Sequence, residues 1–357
     1  PAGIPEEEAD SWLTSARSGR VQSVRAATWD RCGRPQNAFL TLADGTSACA
    51  RYRHPRDRLV LGEVLSYWLS RTLGLDSVPP VTLTFSDSLL EQKPRDFCSE
   101  ELRWEPAQTV ALIRWVDEVD SRPKYVFNFL SLCQVCKSAT NATATGNSEN
   151  ESESKTKATT ITESESESET KATEISQTAH PSSLKLESLV TLAQWGTMII
   201  FDYLTGNYDR VASMQDGVER ENDPTILEQS IRNLRPSKRG AKLWLIDNES
   251  GLLDAYTVLY LQHSVNSKFI QFHESMLRTM CVFQSSLVRR VERLYQHPAP
   301  HRALMRTATH RDALVRKVAR DESFRLFREK FPQRLANVVR WIQDCREMVK
   351  QEKDRPR

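Results

Sequence analysis

The apolar run at residues 38–43, the dipeptide Asp44-Gly45 and the run at 46–53 predict a β-hairpin, because Asp-Gly fits the tight turn that joins two paired strands. One face of its second strand would carry Cys49, Arg51 and Arg53. A strand-like pattern already begins at Val21. After Pro55, Leu61, Leu65, Trp68, Leu69 and Leu73 keep helical spacing up to Gly74, which is suited to closing a helix. Val78-Pro79-Pro80 breaks the chain, Val81, Leu83 and Phe85 alternate as a strand does, and a further strand is expected over 109–116. Strands on either side of one helix predict a small sheet with that helix docked on it. Residues 1–19 are polar and are read as a flexible lead-in.

No aromatic residue occurs between Phe129 and Trp195, and residues 138–183 are almost wholly Ser, Thr, Glu, Ala, Lys and Asn. Such a segment has too little apolar surface to offset the entropy of ordering, so it is expected to be disordered. Helical spacing returns with Leu186, Leu189, Val190, Ala193, Thr197, Ile200, Phe201 and Leu204 and ends at Gly206. A polar stretch over 212–242 leads to the short strand Leu243-Trp244-Leu245-Ile246, and helices are expected near 269–295, 303–319 and 323–350. The predicted organisation is a lead-in (1–19), a β-rich lobe with its hinge (20–137), the polar insert (138–183), a mainly helical lobe (184–350) and a tail (351–357).

The 357 residues suffice for one large two-lobed domain, and 39% hydrophobic with 27% charged residues is an ordinary globular balance. A net charge of +2 from 49 basic and 47 acidic side chains supplies no concentrated basic face for nucleic acid. The longest apolar runs fall far short of a membrane span. The sequence starts at Pro1 without a targeting segment, so any anchor is expected upstream. Seven cysteines, with sequons at Asn141, Asn150 and Asn248, favour a secretory compartment. Cys133-Gln134-Val135-Cys136 is half of a zinc pattern without its second half, and a local disulfide there is the better expectation.

Two words carry chemistry. In Phe201-Asp202-Tyr203-Leu204-Thr205-Gly206-Asn207-Tyr208-Asp209-Arg210 an acid, Asp209, lies in the loop beyond an apolar helix; in Leu245-Ile246-Asp247-Asn248-Glu249-Ser250-Gly251 a second, Asp247, lies just past a strand. Phosphoryl transfer needs a carboxylate near the acceptor hydroxyl, carboxylates for divalent metal and a cation beside the phosphates. Asp209 is the candidate base and Asp247 the candidate metal ligand.

Both words resemble those of the atypical secretory-pathway kinases, the group containing Four-jointed, the Golgi casein kinase and the xylosylkinase, in which Gly-Asn-x-Asp-Arg and Asp-Asn-x replace the loop motifs of ordinary protein kinases. Within it the likeness is greatest to Four-jointed, through Ala48-Cys49-Ala50-Arg51-Tyr52, Gly62-Glu63-Val64-Leu65-Ser66-Tyr67, Val78-Pro79-Pro80, the two loop words, Cys281-Val282-Phe283 and the late Cys345.

The resemblance implies an α+β, two-lobed atypical protein-kinase-like fold that binds ATP with Mn²⁺ or Mg²⁺. It implies that Asp209 is catalytic, that Asp247 and Glu63 hold metal, and that Arg51 stands where ordinary kinases have the phosphate-binding lysine. Trp115 would lie in the adenine-receiving hinge. Asn207 and Arg210 would orient the catalytic loop, or serve only as loop hydrogen bonds and an ion pair. Cys281 and Cys345, both placed on helices, would form a disulfide. No Gly-x-Gly-x-x-Gly precedes Arg51. By resemblance the acceptors are Ser or Thr hydroxyls in the cadherin repeats of Fat and Dachsous, and the place is the Golgi lumen; a kinase-shaped binding protein and a sugar kinase are the competing expectations. Asn141 and Asn150 are the expected glycan sites. A glycan on Asn248 would collide with nucleotide, so that sequon is expected to stay bare.

Overall fold

The computed structural model describes residues 3–90, 97–117, 119, 186–238, 242–261, 267–317 and 322–354. The polar insert, Cys133, Cys136, Asn141 and Asn150 lie outside the described residues.

Five antiparallel strands, β1 (Val21–Ala26), β2 (Ala38–Leu42), β3 (Ser47–Tyr52), β4 (Val81–Phe85) and β5 (Thr109–Arg114), form one sheet in the order β1-β2-β3-β5-β4. The hairpin turns at Asp44-Gly45 as its sequence requires, with Gly45 at φ +82° and Phe39 opposite Cys49. Helix α2 (Asp57–Thr72) buries every residue from Leu59 to Ser70. A helix covered all round has no polar face, and this one lies between the sheet and two helices of the second lobe.

Short helix α3 (Ser86–Leu90) follows β4. The second lobe contains α4 (Leu186–Thr205), α5 (Val211–Glu221), the ribbon β6 (Leu234–Pro236) with β7 (Leu243–Leu245), α6 (Leu253–Tyr260), α7 (Lys268–Leu277), α8 (Ser285–Gln296), α9 (Pro300–Arg311) and α10 (Glu322–Lys353). One continuous apolar core runs from Leu40 and Leu112 in the sheet through Val64 and Leu65 to Phe201, Tyr256 and Phe331.

Several sequence expectations are corrected. Residues 1–19 are not a loose lead-in: α1 (Glu6–Arg17) buries Ala9, Trp12, Leu13 and Ala16. Arg17 ties it to Thr82 of β4 by a 2.9 Å hydrogen bond. The stripe has helical spacing, but three glutamates in the first turn mask it in the composition. The polar stretch at 212–242 contains nearly all of α5, which buries Val211, Ala212, Met214 and Gly217 and exposes Glu219, Arg220 and Glu221. Helix α6 was not foreseen, and the helix expected over 269–295 is two, separated by a turn and a non-helical segment that contains Cys281. Cys281 is therefore in a loop. The helix expected over 303–319 ends at Arg311, and α10 runs to Lys353, into the expected tail.

Candidate active site

Alternation along β3 sends Arg51 to the side of the sheet facing the second lobe, and α2 brings Glu63 beneath it. Arg51 Nη1 donates to Glu63 Oε2 at 2.7 Å and to Asp247 Oδ1 at 2.5 Å, and lies 3.3 Å from Glu249 Oε2. Arg53, two residues on, donates from Nε to Glu249 Oε2 and from Nη1 to Asn37 Oδ1, both at 2.7 Å. Gly62 makes this possible: a Cβ there would sit 2.5 Å from the Glu249 carbonyl oxygen and 2.6 Å from that of Gly251. Only a glycine lets α2 press against the loop that follows β7. Asp247 occupies the left-handed region at φ +53°, which a short polar side chain tolerates better than most.

Electrostatics follow from burial. Burial pushes the Glu63 carboxyl up to about 7, and the nearby Asp247 charge adds to this, against the pull of Arg51. Burial also raises Asp247, but the Arg51 guanidinium, with Arg53 and Arg34 behind it, outweighs that and holds the group below the usual carboxylate range. The Arg51 charge is kept despite burial by Asp247, Glu249 and Glu63.

The second word forms the facing wall. Helix α4 stops at Gly206, whose φ of +68° turns the chain out, and Asn207 Oδ1 accepts from the Asp209 amide at 3.0 Å. Asn233 Nδ2 donates to the Asp209 carbonyl at 3.1 Å and to its Oδ2 at 3.2 Å. Fully buried Arg210 pairs with Asp202 and donates to the Asn233 carbonyl at 3.2 Å, the Ile246 carbonyl at 3.1 Å and Asn248 Oδ1 at 2.9 Å. One guanidinium thus fixes the Asp209 loop, the β6 approach and the Asp247 loop together. Burial raises the Asp209 carboxyl, and the Asp247 charge raises it further, against Arg232 and Asn233. The Arg210 bonds to the Ile246 carbonyl and Asn248 set the Asp209 loop beside the Asp247 loop.

Two buried donors, Arg51 Nε and Asn207 Nδ2, have no hydrogen-bond partner among the described residues. Unpaired buried donors at a groove are open positions for a ligand oxygen. Among the described residues no three His, Cys, Asp or Glu side chains are set as a ready metal cage. The donor set fits a divalent cation that takes one or two protein carboxylates and completes its shell with phosphate oxygens and water.

Trp115 follows β5, its amide donates to the Ser47 carbonyl at 2.9 Å, and its ring meets Phe39 edge to face at 5.6 Å. Both contacts are with the sheet, and none is with the carboxylate cluster. Asn248 is wholly buried and its Nδ2 donates to the Leu245 carbonyl at 3.0 Å. Cys281 and Cys345 form the expected disulfide, and Cys32 pairs with Cys49, which sequence reasoning left unassigned. Glu249, Asn233 and Arg34 were also missed as site residues. Glu249 lies within a quoted word, whereas Asn233 is in a stretch read only as polar. A cavity of about 1110 Å³ between α9 and α10 gathers Arg302, Arg306, Arg316, Arg325 and Arg328 but none of these carboxylates.

The family described as "Four-jointed box protein middle domain" matches residues 7–348. Human "Four-jointed box protein 1" is 30% identical over 300 residues, covering 83% of this chain and 57% of that protein. The Drosophila melanogaster "Extracellular serine/threonine protein kinase four-jointed" is 27% identical over 304 residues, covering 82% of this chain and 50% of that protein. The chain therefore spans about half the length of these relatives. The crystal structure of the Golgi casein kinase superposes with a TM-score of 0.52 over 96% of this chain and 77% of that one at 12% identity, a likeness of fold. A small antiparallel sheet lobe with one docked helix, closed against a helical lobe, is the kinase-like α+β architecture, and with the family match over nearly its whole length the chain belongs to the Four-jointed box family.

Proposed function

We propose that the chain is an ATP-dependent Ser/Thr protein kinase of the secretory pathway, acting in the Golgi lumen on hydroxyls of extracellular cadherin repeats of the Fat and Dachsous type. The observation that carries this reading is one hydrogen-bonded network: Arg51 holds Glu63 and Asp247, and Arg210, next to Asp209, holds the Ile246 carbonyl and Asn248 on either side of Asp247. The Drosophila relative's name and the two disulfides, which belong to an oxidising compartment, support it.

In this reading Asp209, held by Asn207 and Asn233, accepts the proton of the attacking hydroxyl. Asp247 and Glu63 hold Mn²⁺ or Mg²⁺, which when bound neutralises charge on the phosphates. Arg51 exchanges part of its carboxylate contacts for phosphate oxygens, with Nε already open. Trp115 and Val116 border the adenine, and Asn207 steadies the loop. The buried Asn248 is left without sugar.

The test is incubation with labelled ATP, each metal in turn and purified cadherin repeats. Asp209→Ala should lower transfer by roughly 10²–10⁴ while nucleotide still binds. Undiminished transfer by that variant would remove Asp209 from the role of base. A kinase-shaped binding protein without turnover is favoured by one observation, the engagement of Arg51 by three carboxylates. Metal-dependent ATP binding with no phosphate on any repeat or sugar acceptor would select it.

A further inference from the structure

The segment between β1 and β2, residues 27–37, is more firmly held than its length suggests. Thr28 and Arg31 exchange backbone hydrogen bonds at 2.8 and 2.9 Å, and the Gly33 amide donates to the Thr28 carbonyl at 3.0 Å. Cys32, at φ +65°, is bonded to Cys49 in the middle of β3. Asn37 Nδ2 donates to the Cys32 carbonyl at 2.6 Å, while Asn37 Oδ1 accepts from Arg53, the residue that holds Glu249. Arg31 lies over the Phe39 ring at 4.8 Å. A disulfide, turn hydrogen bonds and a buried amide thus fix this loop against the strand that bears Arg51.

From that loop Arg34 points toward the carboxylate cluster. Its Nη2 is 3.9 Å from Glu249 Oε1, beyond hydrogen-bond distance, and its side chain is 61% exposed. The guanidinium makes no hydrogen bond among the described residues, whereas Arg51 and Arg53 are both committed to carboxylates at 2.5–2.7 Å. Arg34 is thus an exposed cation at the rim of this cluster, held only by a loose ion pair to Glu249, and its guanidinium has hydrogen-bond donors free for a triphosphate approaching Asp247. The chain has no glycine-rich run to offer backbone amides here, and a planar guanidinium can hold two phosphate oxygens at once.

We infer that the disulfide-pinned loop between β1 and β2 covers the phosphates of bound nucleotide and that Arg34 is its contact to the outer phosphates. The inference rests on the nucleotide reading above. Calorimetric titration of the intact chain with ATP, ADP and AMP in the presence of Mn²⁺, and again with Mg²⁺, tests it. A charge-assisted hydrogen bond lost from an outer phosphate should weaken ATP binding by Arg34→Ala roughly 10-fold or more. AMP affinity and melting temperature should stay unchanged, and Arg34→Lys should recover part of the loss. The double variant Cys32→Ser/Cys49→Ser should weaken ATP binding in the same direction with Arg34 still present. Equal ATP affinity for wild type and Arg34→Ala overturns the Arg34 assignment alone, as does an equal loss for ATP and AMP. Failure of the wild-type chain to bind any nucleotide overturns the nucleotide reading and the assignment together.

Discussion

At the scale of single residues, the groove is held by groups whose charge states depend on burial. Glu63→Gln keeps the shape but removes a charge facing Asp247 and Arg51. On the nucleotide reading Mn²⁺ with ATP should raise the melting temperature of the wild type, and this variant should lose most of that rise, as scanning fluorimetry would show. His273 offers a separate test away from the carboxylates. It is wholly buried with Nε2 3.0 Å from the Asn207 carbonyl; burial, helped by the Arg334 charge, pushes its pKa down to about 3 against the pull of that hydrogen bond. Unfolded histidine titrates near 6.5, so below that pH the unfolded chain takes up a proton the native state refuses, and stability falls as pH falls. From pH 6.5 to 5.0 the loss is roughly 2 kcal/mol. Urea unfolding at the two pH values should show the wild type losing about that much more stability than His273→Gln does, the carboxyls contributing equally to both; the same pH response in the two proteins would refute the assignment.

At the scale of elements, α2 and the loop after β7 are placed by one missing methyl group. Gly62→Ala must displace backbone oxygens at 2.5 and 2.6 Å, which have no flexible end to yield. We expect a cost of roughly 1–3 kcal/mol together with weakened metal affinity, because Glu63 and Asp247 would be driven apart. A variant that melts lower yet binds metal normally would separate packing from site assembly. The sheet, α2 and α4 were legible because their apolar periods are long and end at Gly45, Gly74 and Gly206. Helix α1 was not, since Ala9, Trp12, Leu13 and Ala16 keep the right spacing inside a segment whose average is polar. Its anchoring is open to test: Leu13→Ala should cost roughly 2–5 kcal/mol in denaturant unfolding, whereas a truly loose segment would show no effect. The break between α7 and α8 was hidden for the opposite reason, because apolar residues continue across it.

At the scale of the whole molecule, the sequence words located both walls of the groove but not what joins them. Arg210 was named as an orienting residue, yet its links to Asp202, Asn233, Ile246 and Asn248 depend on segments that meet only in the folded chain. The Cys32–Cys49 bond was illegible for the same reason, since pairing depends on which strand lies beside which loop. Cys281–Cys345 closes 64 residues of the helical lobe, a constraint worth roughly 4 kcal/mol in the chain-entropy view. Trp341 Nε1 also donates to the Met280 carbonyl at 2.8 Å, so the segment keeps a second tether when the bond is removed. Cys281→Ser/Cys345→Ser should therefore fold with a lowered melting temperature rather than fail to fold; an unchanged temperature would show that the crosslink constrains nothing.

The burial of Asn248 also bears on the sequon Asn248-Glu249-Ser250. Its Nδ2 donates to the Leu245 carbonyl and its Oδ1 accepts from Arg210, so a sugar attached to Nδ2 would have to displace the first bond and could not fit the closed site. The folded chain therefore offers no acceptor there, and a glycan found at this position would mark molecules in which the Asp209 and Asp247 loops are not joined.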